Sequence, residues 1–405
     1  MMTTESATGK TMLDQAQALA DELTQLRREF HQYPELSFQE FRTAALVAET
    51  LREIGGIDVE TGVGGTGVVG RLGSGKGPTI AIRADMDALP IAEQNDVPYA
   101  SQNEGVMHAC GHDAHTAIAL GAAHLLRQSQ AAGDWQGNVR LLFQPSEENF
   151  DEDGVSGATA MIEGGALEGV DAIIALHVFS EQTAGQCIFH DEYSLAAVDA
   201  FQAVIRASGS HGAYPHTGRD PLFMLAPILT ALYAIPSRRI NPLQPSVVSV
   251  GQIHGGSTTN VIPDHVRLAG TIRSYDAVVR EQLWEEVEKA FALSEGLGGS
   301  YEFQLNKGYP SLYNSAEVNG WMRQAAEDLA GAEAVVEAPF GMGGEDFAYM
   351  AQEARGAMFM LGASKADGVQ RQHHTPFFDI DERVLPLGAA VLAETALRFV
   401  TGQID

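Results

Sequence analysis

Apolar residues recur every three to four positions from Leu13 to Phe30, which predicts a helix there. A second helix is predicted to run to about Glu53 from the segment Ser37-Phe38-Gln39-Glu40. Ser37 would cap an amide, Glu40 would reach back as in a capping box, and Gly55-Gly56 would end the helix. Thr79 to Arg83 is a short β-rich run ending in Ala84-Asp85-Met86-Asp87, and Asp113 to Gln128 has helical spacing. Val139 to Phe143 is a continuous apolar run expected to be a buried strand, followed directly by Gln144-Pro145-Ser146-Glu147-Glu148. Asp171 to Leu176 is another such strand, with His177 at its end. This alternation predicts an α/β sheet with functional residues at the carboxyl ends of strands.

The middle of the chain has a different rhythm. Val198 to Ala207 alternates as a strand, Pro221 to Tyr233 is helical, and Ser246 to Ile253 and His265 to Arg273 are strands. Asp276 to Leu293 is a helix with an apolar face, and Tyr301 to Leu305 is a strand. The order β-α-β-β-α-β is the ferredoxin-like plan, a complete small domain by itself. Strand and helix alternation resumes from Ser315. The expected organisation is therefore an α/β domain in two parts, residues 1–189 and 306–405, interrupted by an inserted domain over residues 190–305.

Composition narrows the function. With 405 residues, two or three domains are expected, and 45% hydrophobic residues suffice for packed cores. Lys plus Arg is 25 and Asp plus Glu is 53, a net charge of −28. Such a chain is ill suited to nucleic acid or to an anionic membrane surface. The apolar stretch Met224 to Pro236 is too short to span a bilayer, and Met1 to Lys10 has no apolar signal core. Two cysteines, Cys110 and Cys187, make no disulfide framework, so a reducing cytoplasm is the expected location.

The densest chemical signal is Met107-His108-Ala109-Cys110-Gly111-His112-Asp113-Ala114-His115. A thiolate and imidazoles are favoured ligands for zinc and similar divalent ions. A buried cysteine beside helix-capping histidines would give the same string. No second Cys/His pair follows, so a metal site must recruit distant ligands. Glu147-Glu148 after an apolar strand offers two adjacent carboxylates, one able to bind metal and its neighbour to act as general base. His177 and the doublet His373-His374 are further donors, although a lone histidine is usually structural and a loop doublet can be inert.

Taken together, these strings resemble a known family. Ala84-Asp85-Met86-Asp87-Ala88-Leu89-Pro90, Met107 to Asp113, Phe143 to Glu148, Gly343-Gly344-Glu345-Asp346-Phe347 and His374-Thr375-Pro376-Phe377 stand in the order found in di-metal amidohydrolases and carboxypeptidases. The match is to the aminoacylase, hippurate hydrolase and auxin-conjugate hydrolase branch and covers about Leu23 to Leu397. The resemblance implies a di-metal α/β/α catalytic domain with an inserted ferredoxin-like lid or dimerisation domain. It implies that Cys110 bridges two divalent ions (zinc, manganese, cobalt or nickel), that His112 and His177 complete one site, and that Glu148 and His374 complete the other. Glu147 is implied as general base and Asp87 as the carboxylate orienting a ligand imidazole. His373 competes with His374, but the Pro376-Phe377 that follows favours His374. In the inserted domain, His211 of Ser208-Gly209-Ser210-His211-Gly212 is implied as an oxyanion donor reaching a partner subunit. Asn260 and Gly344 match substrate-contacting positions, and Arg273 could grip an α-carboxylate, though a surface arginine at a strand end would look the same.

The expected activity is hydrolysis of N-acyl-L-amino acids to a carboxylic acid and a free amino acid. Two ions ~3.5–4 Å apart lower the pKa of a shared water towards ~7, and Glu147 takes its proton. A dipeptidase or carboxypeptidase would use the same site. A silent metal-binding scaffold is disfavoured because every implied ligand and Glu147 are present, and a thiol redox protein because Cys-x-x-Cys is missing. The two exposed edges of a small β-α-β-β-α-β sheet predict a homodimer through residues 190–305.

Overall fold

The computed structural model describes residues 11–73, 75–133 and 135–404. Their contacts divide into two units. The larger comprises the chain to Glu192, Tyr313–Pro339 and the chain from Tyr349; the smaller comprises Tyr193–Leu312 and Phe340–Ala348.

The larger unit is built on an eight-stranded sheet. Its order is Asp58–Val63, Gly67–Gly73, Asn138–Gln144, Thr79–Asp85, Ala172–Thr183, Arg355–Ser364, Cys187–Phe189 and Val335–Glu337. The four central strands, Asn138–Gln144 to Arg355–Ser364, run parallel. They are near-continuous apolar runs because helices cover them. Every residue of Thr79–Asp85 is buried. Helices His112–Ala132 and Leu385–Val400 pack in the same core with Ile80, Ile82, Leu141, Ile174 and Phe359. This sheet sends the strand ends of Asp85 and Gln144 to one edge, where the chemistry-bearing segments follow.

Three local expectations need correction. The periodicity from Leu13 to Phe30 is two helices, Met12–Gln17 and Ala20–Gln32. A tight turn separates them, with Leu19 N donating to Ala16 O, and a turn of that kind barely disturbs apolar spacing. The capping box at Ser37 does not form. The helix is Phe41–Ile54 without a side-chain cap, and Glu35 takes the Arg42 and Thr43 amides instead. Finally, His177 lies inside its strand, which continues to Thr183.

The smaller unit is a four-stranded antiparallel sheet in the order Ser246–Gly255, His265–Ser274, Ala197–Arg206, Ser300–Lys307. Helices Pro221–Arg238 and Ala277–Phe291 complete the β-α-β-β-α-β sequence. Each helix starts on an aspartate cap. Asp220 accepts from the Leu222 and Phe223 amides, and Asp276 from those of Val278 and Val279. The segment 340–348 groups with this unit, although the sequence pattern placed it after the insert. Two bonds tie it there: Ala196 N donates to Gly343 O and Tyr275 Oη to Gly341 O.

The helix Pro221–Arg238 is longer than the apolar stretch seen in the sequence. At 18 residues it is, among the described residues, the one helix long and apolar enough to cross a membrane by length and composition. Its Met224, Ile228, Leu232 and Ile235, spaced by three and four, are buried in the core of the smaller unit.

Candidate metal centre

The centre lies within the larger unit. Gly111 is in the left-handed region at φ +97, and a Cβ there would come within 2.3 Å of Val178. Glycine therefore lets the chain turn sharply between Cys110 and the helix that opens at His112. The strand Asn138–Gln144 delivers Glu147 and Glu148 through a turn in which Ser146 has φ +43. His374 also has positive φ, +60, and its amide donates to Ala109 O at 2.8 Å, which ties the C-terminal loop to the cysteine segment.

The histidines are oriented by their outer nitrogens. His112 Nδ1 lies 2.9 Å from Asp87 O and 3.2 Å from Asp87 Oδ1; carbonyl and carboxylate only accept, so Nδ1 carries hydrogen. Its Nε2 is buried without a hydrogen-bond partner among the described residues and faces Asp85 at 3.8 Å and Glu147 and Glu148 at 4.0 Å. His177 Nδ1 donates to Val178 O at 2.7 Å, leaving Nε2 3.4 Å from Cys110 Sγ. His374 Nε2 is 3.1 Å from Glu148 Oε1. Asp87 is the common anchor: it holds His112 and also accepts the Glu147 and Glu148 amides at 3.0 Å each.

Electrostatics point to bound cations. Burial, and then the Glu148, Glu147 and Asp85 carboxylates, push the Cys110 thiol well above its ordinary range. Burial opposes a charge on His112, yet Asp85 and Asp87 push its pKa up to about 10. Converging carboxylates, a thiol and an unpartnered imidazole nitrogen form a donor set that divalent ions would satisfy. Ligand atoms group within 4.8 Å as Cys110, Glu148 and His374, as Cys110, His177 and His373, and as His112, Glu147 and Glu148. Cys110 is common to two groups, which suits two ions sharing one sulfur.

The structure thus brings together Asp87, Cys110, His112, Glu147, Glu148, His177 and His374. His373 is there too, but its Nε2 accepts from Ser180 N at 3.3 Å while Nδ1 lies 3.8 Å from Cys110 Sγ. Burial, and then His374, push its pKa down to about 3. Two residues were missed by the sequence reading. Asp85 is fully buried and holds His115 Nδ1 at 2.6 Å, and His115 Nε2 accepts from Val178 N at 2.9 Å. The signal for Asp85 was the acidic end of an otherwise apolar strand, and for His115 its place in the Met107–His115 string.

The remaining expected residues belong to the smaller unit. His211, on Ser210–His211, is exposed and pairs with Val261 of the two-residue strand Val261–Ile262; its Nδ1 accepts from Ala213 N at 3.0 Å. Asn260 is exposed beside it, its carbonyl accepting from Gly212 N. Arg273 is half-buried, with Nε donating to Thr271 Oγ1 at 3.1 Å. Gly344 packs on the same sheet, where a Cβ would come within 2.2 Å of Val198 and 3.6 Å of Arg273.

The chain is similar to several known proteins. An N-acetyl-L-cysteine deacetylase of Bacillus subtilis is 41% identical over 94% of this chain and 89% of its own length. Thermostable carboxypeptidase 1 of Saccharolobus solfataricus is 40% identical over 94% and 96%. The crystal structure of the Bacillus subtilis YXEP protein, described as a dinuclear metal binding peptidase, superposes with TM-score 0.81 at 33% identity, covering 95% of this chain and 99% of that one. Residues 81–398 match the model of peptidase family M20/M25/M40, so the chain belongs to that family.

Proposed function

We propose that this metal-dependent amidohydrolase cleaves the amide of N-acyl-L-amino acids, releasing a carboxylic acid and a free amino acid. One observation carries the reading: Glu147 and Glu148 hang side by side from the Asp87 carboxylate, which also fixes His112. One carboxylate is thereby available as a base and its neighbour as a ligand. Cys110 would bridge two ions, with His112 and His177 on one and Glu148 and His374 on the other. Zinc, manganese, cobalt and nickel all suit a thiolate, imidazole and carboxylate set. When bound, the ions polarise the scissile carbonyl and acidify water.

The chain's own residues do the rest. Glu147 accepts a proton from the attacking water and hands it to the leaving nitrogen. Asp87 holds the His112 tautomer whose Nε2 lone pair points inward. His211 would donate to the developing oxyanion, Arg273 would grip the α-carboxylate of the substrate, and Asn260 and Gly344 would line that end. Exposed Phe223 and Tyr233 on the Pro221–Arg238 helix, beside the edge strand Ser246–Gly255, support a homodimer through the inserted domain. A reducing, cytoplasmic setting suits a thiolate ligand.

The test is a hydrolysis screen of N-acetyl and N-benzoyl amino acids against unblocked dipeptides. Preference for the blocked substrates is expected. Preference for a free amino group would establish the dipeptidase or carboxypeptidase reading.

A further inference from the structure

Three consecutive amides at the turn carrying the Glu147-Glu148 pair end on buried carboxylates from distant parts of the chain. Two of them, from Glu147 and Glu148, go to Asp87. The third, Ser146 N, donates to Glu40 Oε1 at 2.9 Å. Ser146 sits at φ +43, a conformation that residues with side chains adopt only when surroundings hold them in it. The turn is braced on its other side as well, by Gly157 N donating to Ser146 O and Ser146 Oγ to Asn149 O, both at 2.9 Å.

Glu40 is itself locked. Its side chain is fully buried, Oε1 also accepts from Phe38 N at 2.9 Å, and Oε2 accepts from Thr66 Oγ1. Burial, and then the Asp87 charge, push its carboxyl up to about 7. The sequence pattern gave this residue a local task at a helix start, yet its acceptors are spent on Phe38, Thr66 and the turn 106 positions away.

We propose that Glu40 is a positioning residue for the general base: by holding the Ser146 amide, it fixes the turn that aims the Glu147 carboxylate. Glu40 touches no reacting atom and acts through Ser146. The inference rests on the reading of Glu147 as the base.

The test compares Glu40→Asp with Glu40→Gln in the metal-loaded protein, alone and combined with Glu147→Gln. Aspartate keeps the charge but shortens the arm by roughly 1.5 Å, so the Ser146 bond is lost. Glutamine keeps an acceptor at the right reach. Glu40→Asp should lower kcat roughly 10- to 100-fold with KM and metal content nearly unchanged, because small misplacement of a reacting group has effects of that order. Glu40→Gln should stay within about 3-fold of the parent, and Glu40→Asp should add no further loss once Glu147 is Gln. Were Glu40→Asp not to fold, Thr66→Val, which loosens Glu40 at its other oxygen, should show a few-fold loss of kcat with the same dependence on Glu147. Equal losses in the two Glu40 variants, losses that track metal content, or full additivity with Glu147→Gln would overturn this proposal alone. Parent-level turnover in Glu147→Gln by itself would overturn the base assignment and this proposal with it.

Discussion

The two units hold their functional residues in opposite ways. In the larger one, His112, His177 and the glutamate doublet are held by groups outside the expected ligand set, and only His374 is exposed, against Glu148. Asp87 holds His112 and the glutamate doublet, Val178 O holds His177, and Glu40 holds the turn. In the smaller one, His211 and Asn260 sit exposed on short paired segments, and Arg273 has one local hydrogen bond. The difference follows the chemistry. A metal ligand or general base loses function when displaced by a fraction of an ångström, which suits the buried acceptors that hold His112, His177 and the glutamate turn. Groups that meet a substrate must first admit it, and exposed loops do that.

This contrast can be broken most severely at the shared sulfur. Cys110→Ala should lose most bound metal and all measurable turnover, read by elemental analysis and a hydrolysis assay; full metal content would remove the bridging role. In the smaller unit, His211→Ala should instead keep its metal and lose roughly 10²-fold in kcat, the order reported for a single oxyanion donor. Mixing it with Glu147→Gln subunits should restore activity if His211 serves the partner subunit, because one site in each heterodimer then has both groups. No recovery after verified subunit exchange would confine His211 to its own chain.

A third test sharpens the structural side of the comparison. Arg27 is fully buried among Asp113, Asp379 and Glu382, at 2.7, 3.4 and 3.2 Å, next to the helix start that carries His112. Arg27→Met leaves buried Asp113 with His31 alone, while Asp379 keeps Lys365 and Glu382 keeps Arg28, and should cost about 3–5 kcal/mol in urea unfolding. A loss below about 1 kcal/mol would mean that the larger unit is less rigidly framed than its contacts imply.

The smallest effect concerns pH. The folded-state pKa of Glu40 is raised from 4.5 to about 7, by burial first and then by Asp87. The folded state thus binds that proton more tightly, and the stability so gained is full below 4.5 and lost as pH rises through about 7. Over about pH 5 to pH 8 the metal-free protein should lose thermal stability relative to Glu40→Gln, which lacks this proton. Parallel melting curves for the two proteins would show that Glu40 does not titrate there.

The sequence disclosed the centre better than its supports. Cys110, His112, Glu147, Glu148 and His374 stand in compact motifs, and apolar runs located the strands that carry them. The supports were hidden because their partners are far away in the chain. Ser37 and Glu40 have the spacing of a capping box, but Ser37 Oγ bonds Asp87 and Glu40 bonds Ser146. Asp85 reads as one more acidic residue until His115 is found against it. The membership of 340–348 in the smaller unit depends on bonds to Ala196 and Tyr275, which no local pattern encodes.

The central claim is that Glu147 moves the proton while its neighbours hold the metal. Metal content and turnover measured on one preparation of Glu147→Gln test it most directly. The account predicts up to two divalent ions per chain, as in the parent protein, with kcat lower by ~10²-fold or more. Turnover near that of the parent, or loss of the ions with Glu147 while Glu148→Gln retains them, would contradict it.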